Sequence, residues 1–325
     1  MQRLLRLRQP ALVFAMFPTS LFLGVPAAWI ARVPAILCSR RNSGYWRRWF
    51  HFPALRVINR MATGWQVNGP AIAEVLAASE GVDKTRVDLL TNWLDLERFR
   101  PADAVRRAEA RRQLGLSADG FVVLSSANYN AVKDLATLVA AAALVVRERP
   151  DAQFLLAGQG PERASLEREI ERLGVLEHVR LLGTQHDLEP YLAAADMGVL
   201  TSRSEGCSNA VLEYMASGLP TVLSDIPANR ALSASGLFRV GDAEALAAEL
   251  LRLARDPAEA RSRARVNLQR MAPYSQGKYE QLVQAHFVTA AAMGRQRWGW
   301  PVVNRPTSAP PLVSTGLAAA AEHHD

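Results

Sequence analysis

Residues 197–223 read MGVL-TSRSEGCS-NAVLEYMA-SGLP-TVL, and this stretch decides the fold. Met197 to Leu200 is a short apolar run of the kind that forms a buried strand. Asn209 to Ala216 has helical spacing and is stopped by Gly218-Leu219-Pro220, after which Thr221 to Leu223 reads as a second strand. A strand, a crossover helix and a strand make one parallel unit. The connecting loop, Thr201 to Ser208, then lies beyond the carboxyl end of its strand, where open α/β sheets bind ligands. Ser208 or Asn209 can cap the helix. The backbone N–H groups of Gly206, Cys207 and Ser208 then face a ligand together with the positive end of the helix, an arrangement suited to a diphosphate or a sugar hydroxyl. Glu205 sits in the loop and Glu213 one turn inside the helix. A carboxylate at either position can accept hydrogen bonds from hydroxyls, with a vicinal diol such as a ribose suited to Glu213. Two glutamates eight residues apart are weak evidence by themselves, because a solvated loop charge and a helix-face charge give the same spacing.

The same alternation extends in both directions. Phe121 to Ala127, Phe154 to Ala157 and Val179 to Leu182 read as further strands, with helices expected over Lys133 to Arg149 and Glu162 to Leu173. Gly158-Gln159-Gly160-Pro161 breaks the second of these strands into a turn. Upstream, Ala11 to Met16, Val33 to Ser39, Trp65 to Asn68 and Val87 to Thr91 read as strands, and Pro70 to Ala78 as a helix. Downstream, helices are expected over Ala243 to Arg255, Pro257 to Met271 and Tyr274 to Met293. The expected class is α/β with two Rossmann-like domains. The boundaries are an N-terminal domain over 1–93, a linker over 94–118, a second domain over 119–272, a last helix over 273–293 and a disordered tail over 294–325.

Charge divides the chain unevenly. The formal net charge is +7, and from Met1 to Ala73 there are ten arginines and no acidic residue. Anionic partners are therefore expected at the N-terminal half. The arginines are mixed with Trp46, Trp49, Phe50 and Phe52, a pattern suited to a helix on an anionic membrane surface. No nucleic-acid module signature accompanies them, so no nucleic-acid partner is expected. Gln9 to Ala31 is uncharged and largely apolar, and a membrane span is the alternative to a buried strand–helix unit. Pro10, Pro18 and Pro26 favour the buried unit. Cys38 and Cys207 form no disulfide framework, which suits a reducing, cytoplasmic compartment. His323 and His324 stand in a polar tail, and no metal-ligand spacing occurs.

With these residues in view, the chain resembles glycosyltransferase family 4, the retaining group 1 glycosyltransferases of GT-B fold. The match runs through Ser202, Glu205-Gly206, Asn209, Glu213-Tyr214-Met215-Ala216, Gly218 and Pro220-Thr221-Val222. It is extended by Leu155 to Pro161, Val179 to Gly183, Tyr191 to Asp196 and Asn92 to Phe99, and covers about Pro10 to Phe287. The resemblance implies a hexosyltransferase that takes sugar from a nucleotide-diphosphate-sugar with retention and without a metal cofactor. Its acceptor would be a polysaccharide or lipid-linked glycan of the cell envelope, met at the inner face of the cell membrane. Glu205 would bind the transferred sugar, Glu213 the ribose, and Lys133 would neutralise the departing diphosphate.

Four departures stand out. Asn128 occupies the position where relatives often carry an arginine five residues before that lysine, so it can donate hydrogen bonds to the diphosphate but brings no charge. Trp93 replaces the linker glycine. No histidine lies on the strand around Val13 to Met16, so no histidine role carries over. Relatives also usually open with about three further βα units, so the first domain is expected to be truncated. The alternative expectation is a non-catalytic module that binds a nucleotide-sugar or a partner protein.

Overall fold

The computed structural model describes residues 1–297 apart from 43, 45, 46 and 234. The chain divides into two compact units, one made of Met1–Asn92 with the chain from Gly277 onward, the other of Trp93–Gln276. Each is an α/β unit built on a parallel sheet.

In the first unit α1 (Gln2–Arg8) leads to β1 (Leu12–Ala15), and a π-helical turn (Ser20–Gly24) runs straight into α2 (Val25–Ile30). There follow β2 (Ala35–Arg40), α3 (His51–Met61), β3 (Gly64–Val67), α4 (Pro70–Glu80) and β4 (Val87–Leu89). The strands lie in the order β1-β2-β3-β4. The apolar stretch Gln9 to Ala31 is thus a strand and a helix around a turn. Among the described residues no helix is long and apolar enough to cross a membrane. Ile36 and Cys38 of β2 and Trp65 and Val67 of β3 point to one face, where they pack with Leu21, Val25, Ile58, Ile72 and Leu76. Alternation along the strands sends Ser39 and Gln66 to the other face. The helix expected in the basic, aromatic segment begins only at His51, and Trp49 and Phe50 precede it on exposed loop. Trp46 lies outside the described residues.

The second unit comprises α5 (Ala104–Gln113), β5 (Val122–Ser126), α6 (Leu135–Glu148), β6 (Gln153–Ala157), α7 (Arg163–Arg172), β7 (Val179–Gly183), α8 (Glu189–Ala194), β8 (Met197–Leu200) and α9 (Asn209–Ala216). It continues with β9 (Thr221–Ser224), α10 (Pro227–Leu232), β10 (Leu237–Phe238), α11 (Ala243–Arg255) and α12 (Pro257–Gln269). The strand order is β10-β9-β8-β5-β6-β7. The order reverses at β5 and β8, and their carboxyl ends carry the two loops singled out in the sequence. Val123, Phe154, Leu156, Val199 and Val222 form one core with Leu138, Val139 and Leu250 from the covering helices. Removing one such buried leucine to alanine costs about 2–5 kcal/mol.

The segment expected as a linker is part of this unit. Arg111 of α5 is 2% exposed and donates to the carbonyls of Ala194, Ala118 and Gly120 and to Asp196 at 2.8 Å. Arg107 reaches the same carboxylate and the carbonyl of Ala195. Asp196 in turn accepts the backbone N–H of Val122 at 2.7 Å. The guanidinium of Arg111 thereby ties α5, the chain before β5 and the turn before β8 into one structure. Leu94 N–H donates to Tyr274 O at 2.8 Å, which brings the two ends of the unit together.

The last helix, α13 (Gln276–Arg297), belongs with the first unit from Gly277 on. His286 Nδ1 meets Asp88 Oδ2 of β4 at 2.9 Å. Gly294 lies so close to Pro34 O that a Cβ there would stand 2.2 Å away. Gly294 to Arg297, expected as the start of a tail, continue this helix, and the rest of that tail lies outside the described residues.

Candidate active site

The loops after β5 and β8 are fastened to each other along their length. Arg203 N–H donates to Val132 O at 2.8 Å, and Thr201 Oγ1 donates to Lys133 O at 2.7 Å. Arg203 also pairs with Asp134 at 3.1 Å. The consequence is a convergence of side chains far apart in sequence. Lys133 Nζ lies 2.5 Å from Glu205 Oε1, and Ser202 Oγ donates to that same oxygen at 2.6 Å. Lys133 and Glu205 side chains are 19% and 12% exposed, so the pair is largely shielded yet still open to a ligand. Beneath them Ser224 Oγ donates to Ser202 O at 2.5 Å, and Asn229 Nδ2 donates to Ser224 O at 2.8 Å. Ser202, Ser224 and Asn229 are each fully buried, so this chain braces the loop from α10 upward.

Lys133 is not in the first turn of α6, as the sequence suggested. It ends a 3₁₀ turn, Ala131–Lys133, and Asp134 takes a left-handed conformation at φ 50° before α6 begins. That kink turns the lysine off the helix and toward the β8 loop. Asn128 is exposed on the loop, and its carbonyl accepts the N–H of Asn130 at 2.9 Å.

Ser208, not Asn209, caps α9, its hydroxyl accepting from Val211 N–H at 3.5 Å. Gly206 and Ser208 are buried, Cys207 is half-buried and Asn209 exposed. Among the described residues the N–H groups of Gly206 and Ser208 have no backbone acceptor. The positive end of the helix therefore opens beside Glu205. Tyr214 of α9 lies flat on β8, where Gly198 leaves the space: a Cβ at Gly198 would stand 2.3 Å from its ring. The Tyr214 hydroxyl accepts the N–H of Ser126 at 2.5 Å, which locks α9 to the end of β5.

Glu213, the position before Tyr214 on α9, is half-buried, and among the described residues no hydrogen bond or ion pair joins it to Lys133 or Glu205. Burial pushes its carboxyl up from 4.5 to about 7, against the opposing field of Arg98. Arg98 itself is held by Glu189 at 2.8 Å and Asp187 at 3.1 Å. The structure thus joins Lys133 and Glu205, and sets Glu213 apart on the helix that starts beside them. The turn after β6 completes this edge. Tyr129 N–H donates to Gln159 O at 3.0 Å, and a Cβ on Gly158 would stand 1.9 Å from Ala127 O. Among the described residues no group of three or more His, Cys, Asp or Glu side chains gathers as metal ligands. Ser202, Arg203, Asp134 and Asn229 were not singled out as supporting residues. Only the Ser202 match in the motif pointed to any of them.

Residues 120–256, the sheet and helices that hold these loops, match the family described as Glycosyl transferases group 1. The lipopolysaccharide core biosynthesis glycosyltransferase LpsD of Rhizobium meliloti is 34% identical over 179 residues, 54% of this chain and 49% of its own. The UDP-Gal:alpha-D-GlcNAc-diphosphoundecaprenol alpha-1,3-galactosyltransferase of Escherichia coli is 29% identical over 155 residues, 46% of this chain and 40% of its own. The chain spans about half the length of the curated relatives it matches. Among solved structures, Anabaena HepE in complex with UDP superposes with a TM-score of 0.79 at 22% identity, covering 89% of this chain and 80% of HepE. The fold is GT-B, with two parallel-sheet Rossmann-like units.

Proposed function

We propose that this chain is a retaining glycosyltransferase that moves a hexosyl group from a nucleotide-diphosphate-sugar to a polysaccharide or lipid-linked acceptor. The observation that carries the proposal is the Lys133–Glu205–Ser202 cluster at the mouth of α9. Charge develops on the leaving diphosphate in the transition state, and a fixed ammonium beside a helix N-terminus stabilises it there. That cation and the positive end of the helix stand in place of a divalent metal, so the reaction needs none. Glu205, braced by Ser202, accepts hydroxyls of the transferred sugar and sets the anomeric carbon. Glu213 accepts the two ribose hydroxyls, and Asn128 donates to the diphosphate. Lys133 and Glu205 neutralise each other, and the diphosphate of a donor is the anion that competes with the carboxylate for the lysine.

The acceptor belongs to cell-envelope synthesis at the inner face of the membrane. Support comes from the first unit, where Leu4, Leu7, Trp49 and Phe50 are exposed among Arg3, Arg6, Arg8 and Arg48 with no carboxylate before Glu74.

The test is to incubate the chain with a panel of nucleotide-diphosphate-sugars and measure release of nucleoside diphosphate, following the anomeric proton by NMR. The expected result is turnover with the donor's anomeric configuration kept, and a loss of at least 100-fold in Glu205→Ala and Lys133→Ala. Tight binding of nucleotide without any turnover by the wild type would favour a non-catalytic binding module instead.

A further inference from the structure

At the end of the second unit's sheet opposite Lys133 and Glu205 lies a groove of about 510 Å³. Phe121, Met197 and Pro220, at the amino ends of β5, β8 and β9, form its base. Pro257, Ala260, Arg261 and Ala264 stand along one face of α12 and line it. Leu253, near the end of α11, extends this apolar wall. The volume suits a small molecule, since ligand sites run from about 300 to 1,000 Å³.

The charge of the groove is one-sided. Arg107, Arg111, Arg149 and Arg261 line it against two carboxylates, Asp119 and Asp196. Arg107 and Arg111 both pair with Asp196, so one carboxylate is divided between two guanidiniums, and it also accepts the N–H of Val122. Arg149 pairs with Asp151 at 2.8 Å, and its guanidinium lies over the Phe121 ring, 5.5 Å from the centroid. Arg261 is exposed and, among the described residues, has no hydrogen bond or ion pair. A positive excess remains with Asp119 and Asp151 both counted. A cationic lining beside an apolar wall suits an anion that carries an apolar body.

We infer that this groove binds a phosphate monoester with a flat, apolar body. Arg261, the unpaired guanidinium, holds the phosphate, Arg107 and Arg149 add their field, and the body rests against Leu253, Pro257 and Ala260. A planar guanidinium meets phosphate oxygens by paired N–H donors. A phosphate monoester carries about 1.5 to 2 negative charges at pH 7, so it gains more from the positive excess than a carboxylate does. The site is separate from the donor loops and stands whether or not Lys133 and Glu205 serve sugar transfer. Its ligand clamps the starts of β5 and β8, whose far ends lead to those two residues, and stabilises the folded chain.

The experiment titrates the full chain with phenyl phosphate in saturating UDP, so that the nucleotide site is filled, and reads binding by saturation-transfer NMR and by the thermal transition. Saturable binding is expected, roughly three-fold or more tighter than that of inorganic phosphate or benzoate and absent for phenol. It should raise the transition temperature and weaken in high salt. Arg261→Gln and Ala264→Glu are expected to weaken it about five-fold or more, with an unchanged transition of the unliganded chain showing that they fold. Arg265→Gln, on the same helix but outside the groove, should leave it unchanged. Lys133→Ala should also leave it unchanged while losing UDP affinity, so failure of the donor site and failure of this one read separately. Absence of saturable binding, equal affinity for inorganic phosphate, equal losses in Arg261→Gln and Arg265→Gln, or loss in Lys133→Ala but not in Arg261→Gln would overturn the inference.

Discussion

At the scale of single residues, the ionisation of Glu213 links the site to pH. Its carboxyl is raised from 4.5 to about 7 because burial strips its water, with Arg98 opposing. The folded chain therefore binds this proton more tightly than the unfolded chain. The stability it contributes is full below pH 4.5, falls as pH rises towards 7 and is gone above it, a span on the order of 3 kcal/mol. Urea unfolding should show Glu213→Gln as more stable than wild type at pH 8 and no more stable at pH 4.5. A ribose diol donates to the ionised form, so UDP should bind more tightly at pH 8 than at pH 6. At pH 7 binding should release up to about half a proton, read by calorimetry in buffers of different ionisation enthalpy. Equal UDP affinity at both pH values would remove Glu213 from the ribose site. The glutamate itself was legible from the motif, but its protonation was not. That depends on how deeply the fold buries Glu213 and on the field of Arg98, 115 positions earlier in the chain, neither of which spacing reveals. The left-handed turn at Asp134 was equally hidden, since an Asp before an apolar helical run reads as an ordinary cap.

At the scale of elements, the strands and most helices follow from apolar runs, proline and glycine stops and capping residues. Asn209–Ala216 and Ala243–Arg255 form as the sequence suggests, with Ser208 and Asp242 as caps. The short helices α8 and α10 and the two-residue strand β10 were missed, because six residues or fewer carry too little periodicity. The place of α5, within the segment 94–118 expected as a linker, was hidden for another reason. Its Arg-rich sequence looks solvated, yet one of those arginines is buried against four carbonyls and a carboxylate. Burial pulls the Arg111 guanidinium down from its usual value, and Asp196 opposes this. Removing the cation leaves those acceptors and Asp196 without their donor. Arg111→Ala should therefore cost about 3–5 kcal/mol in denaturant unfolding. Arg112→Ala, on the exposed side of the same helix, should leave the denaturant midpoint close to that of wild type. Similar losses for the two would show that α5 is held by its apolar contacts alone.

At the scale of the whole molecule, the two units differ in how the chain supplies them. The second is one continuous stretch, Trp93–Gln276, whose ends are tied by the Leu94–Tyr274 hydrogen bond. The first needs both ends of the chain, since His286 and Gly294 of α13 pack against Asp88 and Pro34. A fragment of residues 93–276 should therefore fold alone, with a cooperative thermal transition, and keep UDP affinity within about ten-fold of the full chain, because a folded domain with its own core is self-sufficient. A fragment of residues 1–92 should lack such a transition, and adding α13 as a fused segment should restore it. The reason lies in the packing that α13 supplies: without His286 and Gly294, Asp88 and Pro34 lose their partners on a sheet only four strands wide. If instead 93–276 unfolds when separated, Trp93–Gln276 is not a self-sufficient folding unit.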